Sequence, residues 1–121
     1  MIYHITNLKY FLSVQSSGRY IPETYAQDGF IHCSTRDQVI RVANSYYPHQ
    51  HDLILMEIDD ALLRDHLVYE NLEGGKELFP HVYTYIPIET IFRIAKLSSS
   101  ESGYVFPVSW LTNEEFVNMV K

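Results

Sequence analysis

Apolar and polar residues alternate with a period of two in two short segments, residues 2–6 and residues 30–34. Successive side chains of a β-strand point to opposite faces, so the alternation predicts a strand in each segment. In the first strand, Tyr3 shares one face with Ile5, and the other face carries the polar side chains of His4 and Thr6. The first predicted strand therefore has one polar face.

The second segment has a histidine in its middle and a hydroxyl group at its end. Alternation places Phe30, His32 and Ser34 on one face of the predicted strand. The opposite face carries the apolar side chains of Ile31 and Cys33. Because both strands have one polar face, we expect His4, Thr6, His32 and Ser34 to lie on the same side of two adjacent strands.

Ser34 is also predicted to cap the helix that follows the second strand. Asp37 comes three residues later, which is the capping-box spacing with Asp in the place of Glu or Gln. The helix is predicted to run to Pro48, because apolar residues recur every three or four positions at Val39, Val42, Ala43 and Tyr46. A polar strand face that leads into a helix amino terminus suits an anion or a sugar hydroxyl.

The rest of the chain alternates between short predicted strands and short predicted helices. The further strands are predicted at residues 52–59, 67–70, 79–83, 91–97 and 104–108. The further helices are predicted at residues 7–16, at residues 59–65 and after a cap at Thr112 or Asn113. These helices are too few and too short for a doubly wound parallel sheet. The predicted fold class is therefore α+β, with a small, mostly antiparallel sheet.

Composition and charge restrict the classes of function. The chain has 121 residues, 46% of them hydrophobic, which predicts a single domain over residues 1–121. Its formal net charge of −6 disfavours a nucleic-acid groove, which must neutralise phosphates. The single cysteine excludes an intramolecular disulfide. We find no signal peptide or membrane-spanning pattern, so we expect a cytoplasmic protein with no membrane partner.

Several motifs together resemble one known family. They are Tyr3-His4-Ile5-Thr6, residues 28–34 (Asp-Gly-Phe-Ile-His-Cys-Ser), Gln38, Tyr69-Glu70 and residues 79–83 (Phe-Pro-His-Val-Tyr). Together they resemble the bacterial family catalogued as domain of unknown function 952, and the resemblance covers residues 2–107. The resemblance implies an ADP-ribosyltransferase-like fold, with a split antiparallel sheet and a pocket for nicotinamide adenine dinucleotide (NAD) between its halves. The two histidine motifs are also similar to those of RNA 2′-phosphotransferases.

A dinucleotide pocket of this kind needs a carboxylate, because the ribosyl group becomes an oxocarbenium-like cation when nicotinamide leaves. Glu70 precedes a Gly-Gly loop and is the candidate carboxylate. The predicted catalytic residues are Glu70, His32 and His81. The predicted NAD-binding residues are His4, Thr6, Ser34, Tyr69 and Tyr83. We expect these side chains to converge on one concave pocket.

Alternative interpretations remain for these residues. Instead of a catalytic role, Glu70 is also consistent with a solvated acid on the surface. His32 is also consistent with a core histidine that is hydrogen-bonded to a backbone carbonyl group. The chain is therefore predicted to be either a ribosyltransferase or glycohydrolase that uses NAD as its substrate, or an inactive module that binds a nucleotide or small anion. An RNA-processing enzyme is a third possibility, which the acidic charge disfavours. No metal is expected, because His49 and His51 have no further ligands at a metal-binding spacing.

Overall fold

A computed structural model of the chain describes residues 1–120. The strands are β1 (Ile2–Asn7), β2 (Arg19–Tyr20), β3 (Ile31–His32), β4 (Leu53–Ile58), β5 (Leu67–Glu70), β6 (Phe79–Val82), β7 (Ile86–Pro87), β8 (Ile91–Lys96), β9 (Ser99–Ser100) and β10 (Gly103–Tyr104). The α-helices are α1 (Leu8–Val14), α2 (Tyr25–Asp28), α3 (Arg36–Tyr46) and α4 (Asn113–Val120). Short 3₁₀ helices cover Gln15–Ser17, Asp60–His66 and Ile88–Thr90. The prediction of an α+β fold with short helices is confirmed.

Two three-stranded antiparallel sheets form the centre of the fold. One has the strand order β1-β4-β8, and the other has the order β3-β6-β5. They meet where Tyr3 and Ser34 exchange two backbone hydrogen bonds, each 2.8 Å long. The pairs β2-β7 and β9-β10 are also antiparallel. The prediction of a mostly antiparallel sheet is therefore confirmed. The bridge between Tyr3 and Ser34 joins the two three-stranded sheets.

Strand β4 is buried on both faces, as its continuous apolar sequence predicts. Ile54, Met56 and Ile58 belong to the larger hydrophobic core, which also receives α1 and α4. Leu53 and Leu55 point to the opposite side, where they pack in the core that α3 covers. β4 is the central strand of its sheet, because it is paired with β1 on one edge and with β8 on the other. Burial of both faces excludes water from its backbone hydrogen bonds.

Glu57 is an acidic residue in this buried strand. Its carboxylate accepts hydrogen bonds from the Tyr3 hydroxyl at 2.6 Å and from the Arg93 guanidinium at 2.7 and 3.2 Å. Burial alone raises the pKa of Glu57, but the hydrogen bonds from Arg93 and Tyr3 outweigh it and lower that pKa. Burial and the same carboxylate raise the pKa of Tyr3 to about 12. Glu57 therefore links β1, β4 and β8 as a charged, fully paired group.

The boundaries of the central motif differ from the predicted ones. The strand predicted at residues 30–34 is shorter, because β3 contains only Ile31–His32. The N-cap of α3 is Thr35 and not Ser34, and the capping partner is Gln38, whose Oε1 accepts from the Thr35 backbone N–H at 2.9 Å. The prediction of Ser34 as the cap is wrong because the Ser34 backbone is paired with β1. The helix therefore begins one residue later.

Two predictions about the carboxyl-terminal part had different outcomes. The strand predicted at residues 104–108 is wrong, because the ladder ends at β10 and the following residues are irregular up to an isolated bridge between Leu111 and Ile94. The cap at Thr112 is confirmed, because its hydroxyl accepts from the Glu115 backbone N–H at 3.1 Å. The Glu115 carboxylate in turn accepts from the Thr112 backbone N–H at 2.9 Å.

Within residues 1–120, no helix combines the length and the apolar character that are needed to cross a bilayer.

Candidate functional site

The candidate site lies on the outward face of the sheet formed by β3, β6 and β5. Cross-strand pairing aligns His32 with His81, and His81 with Val68. Alternation along these strands sends Ile31 and Val82 into the larger core and leaves the two histidines on the other face. This outward face, which also carries Glu70, Tyr83 and Phe30, is referred to below as the Glu70 face.

Glu70 is held by two donors on the neighbouring strand and its extension. Its Oε2 accepts a hydrogen bond from His81 Nδ1 at 2.9 Å and another from the Tyr83 hydroxyl. The hydrogen bonds from Tyr83 and His81 lower the pKa of Glu70, and Glu70 raises the pKa of Tyr83. Glu70 is therefore an ionised carboxylate at neutral pH, and 22% of its side chain is exposed to solvent.

The hydrogen bond to Glu70 also places a proton on Nδ1 of His81. A carboxylate only accepts, so Nδ1 must carry the proton, and the neutral imidazole then has its lone pair on Nε2. The ring is almost fully buried and stacks on Phe30 with a centroid separation of 4.1 Å and an interplanar angle of 21°. The Glu70 carboxylate and the stacked Phe30 ring thus hold the His81 imidazole in one orientation. A histidine that acts as a general base is oriented in the same way.

Further rings surround this stack. The Phe30 ring lies 4.7 Å from the His32 ring and 5.4 Å from the Tyr83 ring, measured between centroids. His32 is more exposed than His81, with 57% of its side chain accessible to solvent. Its Nε2 lies 3.1 Å from the Asp28 carboxylate. These rings form an aromatic surface beside the Glu70 carboxylate, of the kind on which a nucleobase or nicotinamide stacks.

The Asp28-Gly29 turn places two of these groups. Gly29 ends α2 with a φ of 80°, a left-handed conformation that costs other residues free energy. The turn brings the Asp28 carboxylate back to His32 and directs Phe30 onto His81. Neither Asp28 nor Phe30 was among the predicted site residues. The signals for them were the shared strand face of Phe30 and the four-residue spacing of Asp28 from His32.

His4 and Thr6 do not reach the Glu70 face. His4 is 7% exposed, its Nδ1 donates to the His32 carbonyl at 2.7 Å, and its Nε2 accepts from the Tyr20 hydroxyl at 2.8 Å. The Tyr20 oxygen is also hydrogen-bonded to the Thr6 hydroxyl at 2.9 Å. Burial lowers the pKa of His4 to about 4, so this imidazole is neutral.

The prediction that His4 and Thr6 converge with Glu70 and His81 is therefore wrong, and the register explains why. Because Tyr3 is paired with Ser34, Tyr3 is the β1 residue that shares a face with Ser34. His4 points to the core side, whereas the His32 ring points outward. An offset of one residue in pairing exchanges the two faces of a strand.

Ser34 and Tyr69 lie near the site without joining its hydrogen bonds. Ser34 is 5% exposed and contributes its backbone groups to the bridge with Tyr3. Tyr69 is 47% exposed, and alternation along β5 places it on the face opposite to Glu70. Their predicted roles in NAD binding stay predictions, whereas Glu70, His32, His81 and Tyr83 are brought together.

Three side chains of the Glu70 face, those of Glu70, His32 and Tyr83, are partly exposed to solvent. Two concavities, with volumes of about 300 and 520 Å³, lie elsewhere on the molecule, and neither is lined by Glu70 or His81. The part of the chain described by the structure also contains no group of three His, Cys, Asp or Glu side chains arranged to hold a metal ion. The chemistry of the face therefore rests on the carboxylates of Glu70 and Asp28, two imidazoles and aromatic rings.

Comparison with known proteins gives one family match and one set of structural relatives. The model of the family described as "Protein of unknown function (DUF952)" matches residues 5–94. No curated protein matches the chain. The crystal structure of protein CC0527 from Caulobacter crescentus is similar with a TM-score of 0.77 and 28% identity, covering 85% of this chain and 90% of that one. The solution NMR structure of CC0527 has a TM-score of 0.75 and 28% identity, covering 85% and 89%.

Proposed function

This chain belongs to the DUF952 family of proteins of unknown function, and from that premise we propose that it is an ADP-ribosyltransferase-like domain that binds NAD or a related ribosyl nucleotide on the Glu70 face. We further propose that it transfers or hydrolyses the ribosyl group of this ligand. The observation that carries the proposal is the Glu70 carboxylate, which His81 and Tyr83 hold beside a surface of stacked rings.

The carboxylate of Glu70 is suited to a ribosyl group. Both hydrogen bonds reach Oε2, and no donor within residues 1–120 is hydrogen-bonded to Oε1. Oε1 is therefore the atom that would accept from a ribose hydroxyl or stabilise a ribosyl cation. The lowered pKa keeps the charge in place, and the two donors fix its position before the ligand binds.

The rings account for the nicotinamide or adenine part of the ligand. His32 and Tyr83 are exposed at the edge of the stack between Phe30 and His81. A flat heteroaromatic ring would stack on them at a centroid separation of about 4.5–7 Å. Because the Tyr83 hydroxyl is hydrogen-bonded to Glu70, the stacked ring would lie close to the carboxylate. The two antiparallel sheets, joined at one bridge, are in keeping with the split sheet that the resemblance implies.

The second candidate function is a catalytically inactive module that binds a nucleotide or a small anion. The solvent exposure of Glu70, His32 and Tyr83 favours it, because a ribosyl cation is best stabilised where water is excluded. Such a module would use the same stacked rings and carboxylate and would release no nicotinamide. Binding and turnover therefore have to be measured separately.

Calorimetric titration with NAD, ADP-ribose and nicotinamide tests the binding step. We expect saturable binding of NAD to the wild-type chain, and about tenfold weaker binding to His32→Ala because one ring of the surface is lost. His51→Ala is the matched control, since His51 is exposed and lies in the wall of the smaller concavity, which neither Glu70 nor His81 lines. Absence of binding for all three ligands would refute the proposal.

The protein is expected not to bind RNA tightly at physiological salt. The net charge of −6 repels phosphates, and the binding of RNA depends on their neutralisation by Lys and Arg. Fluorescence anisotropy titration with transfer RNA at about 0.15 M salt measures this directly. Submicromolar affinity would contradict the expectation and favour an activity like that of the RNA phosphotransferases.

A further inference from the structure

The larger concavity is separate from the Glu70 face and has a volume of about 520 Å³. It lies at the outer edge of β8, between helix α4 and the irregular residues 105–111. Most of its wall comes from residues after 94, where the match to the family model ends. A function of this concavity would therefore be additional to the one proposed for the family motifs.

The wall of the concavity is apolar. Phe106, Val108, Trp110 and Met119 are among its lining residues. Val108 is 97% exposed and Met119 is 55% exposed, so this apolar surface is in contact with solvent in the isolated chain. Volumes of about 300–1,000 Å³ with mainly apolar walls are typical of sites for small molecules.

A single charged side chain, Lys96, lines the concavity, and no Asp or Glu does so. Lys96 is exposed, and no carboxylate of residues 1–120 lies within ion-pair distance of it. The whole chain nevertheless has a net charge of −6. Lys96 also borders the smaller concavity, whose lining includes Asp52. Because Lys96 has no ion-pair partner within residues 1–120, it favours a ligand that has an apolar body and one negative charge.

Contacts behind the wall hold it in place. The Trp110 indole N–H donates to the Pro107 carbonyl at 3.2 Å, and the Arg93 guanidinium lies 4.5 Å from the centre of the indole ring. Leu111 and Ile94 exchange backbone hydrogen bonds of 2.8 and 3.0 Å. The concavity is therefore formed before any ligand binds, which lowers the entropic cost of binding.

From these observations we propose that the concavity binds a small amphiphilic carboxylate, such as a short fatty acid. Its apolar chain packs against Trp110, Phe106 and Met119, and its carboxylate is paired with the Lys96 ammonium group. Binding requires no other charged residue of the lining. The site operates independently of Glu70 and the stacked rings.

Trp110 provides a direct test, because it is the only tryptophan of the chain and lies in the wall of the concavity. Titration of the full chain with octanoate is expected to change the tryptophan emission with saturation, and octylamine is expected to bind more weakly. Lys96→Gln should weaken octanoate binding about tenfold and leave the binding of octanol unchanged. Lys76→Gln, which removes the same charge from an exposed loop outside the concavity, should match the wild type.

A blocking variant makes the test independent of charge. Ser109 is an exposed residue of the lining, and Ser109→Phe should fill the site and abolish the octanoate response while circular dichroism stays unchanged. Absence of saturation with octanoate, or equal affinity for octanoate, octanol and octylamine, would overturn the proposal. It would also be overturned if sedimentation showed a dimer of the ligand-free chain that Ser109→Phe dissociates, since a second copy would then cover the concavity.

Discussion

Glu70→Gln is expected to lower the rate of nicotinamide release from NAD by about 100-fold or more. The amide retains the size of the side chain and an oxygen that accepts from His81, but it removes the charge that would stabilise a ribosyl cation. Because the lost interaction is made mainly in the transition state, the affinity for NAD should change by less than about threefold. Single-turnover measurement of released nicotinamide, together with calorimetric titration of NAD, separates the two quantities.

Glu77→Gln is the matched control for this experiment. Glu77 is also an ionised, hydrogen-bonded acid, but its partner is Arg41 at 2.6 and 3.0 Å, and it takes no part in the Glu70 face. The control should retain wild-type turnover. Full turnover in Glu70→Gln would eliminate Glu70 as the catalytic carboxylate and leave His81 as the next candidate. A wild-type chain that binds NAD without release of nicotinamide would support the inactive binding module.

The stability of the protein is expected to fall by about 2 kcal/mol between pH 7 and pH 5 because of His4. Burial lowers its pKa from 6.5 in the unfolded chain to about 4 in the folded protein. Below pH 6.5 the unfolded chain takes up a proton that the folded protein does not, so unfolding becomes more favourable. The contribution of His4 is thus fully present above its unfolded pKa and is lost as the pH falls towards 4.

Urea unfolding at several pH values measures this effect through the change in the free energy of unfolding. His4→Gln cannot titrate, so its stability should vary much less between pH 7 and pH 5, whatever its absolute stability. His66→Gln removes an exposed histidine and should keep the wild-type dependence. A His4→Gln variant with the unchanged wild-type slope would show that other groups cause the pH dependence.

His4 also connects the core to the candidate site. Its Nδ1–H group donates to the carbonyl of His32, so the buried imidazole supports the strand that presents the His32 ring. The family motif around His4 is thereby explained without direct ligand contact. The imidazole acts as a structural link between β1 and β3, and its neutral form is the one that fits the Tyr20 hydroxyl at Nε2.

Several features of this protein were determined by the sequence alone. Period-two alternation identified β1, the continuous apolar run identified β4 as a central strand, and three- and four-residue spacing identified α3. The motifs around His4, His32 and His81 identified the family. These are properties of neighbouring residues, because strand and helix geometry directly relate side chains that are close in the chain.

Only the tertiary structure decided which of these side chains meet. Alternation defines two faces for each strand, but the pairing of Tyr3 with Ser34 decided that the His4 ring points into the core, where it bonds the His32 backbone, and not to the Glu70 face. The contacts of Glu70 with His81 and Tyr83 likewise depend on how β5 is aligned with β6. Register is set by the packing of whole strands against two cores, so it depends on residues far apart in the chain, and no local pattern specifies it.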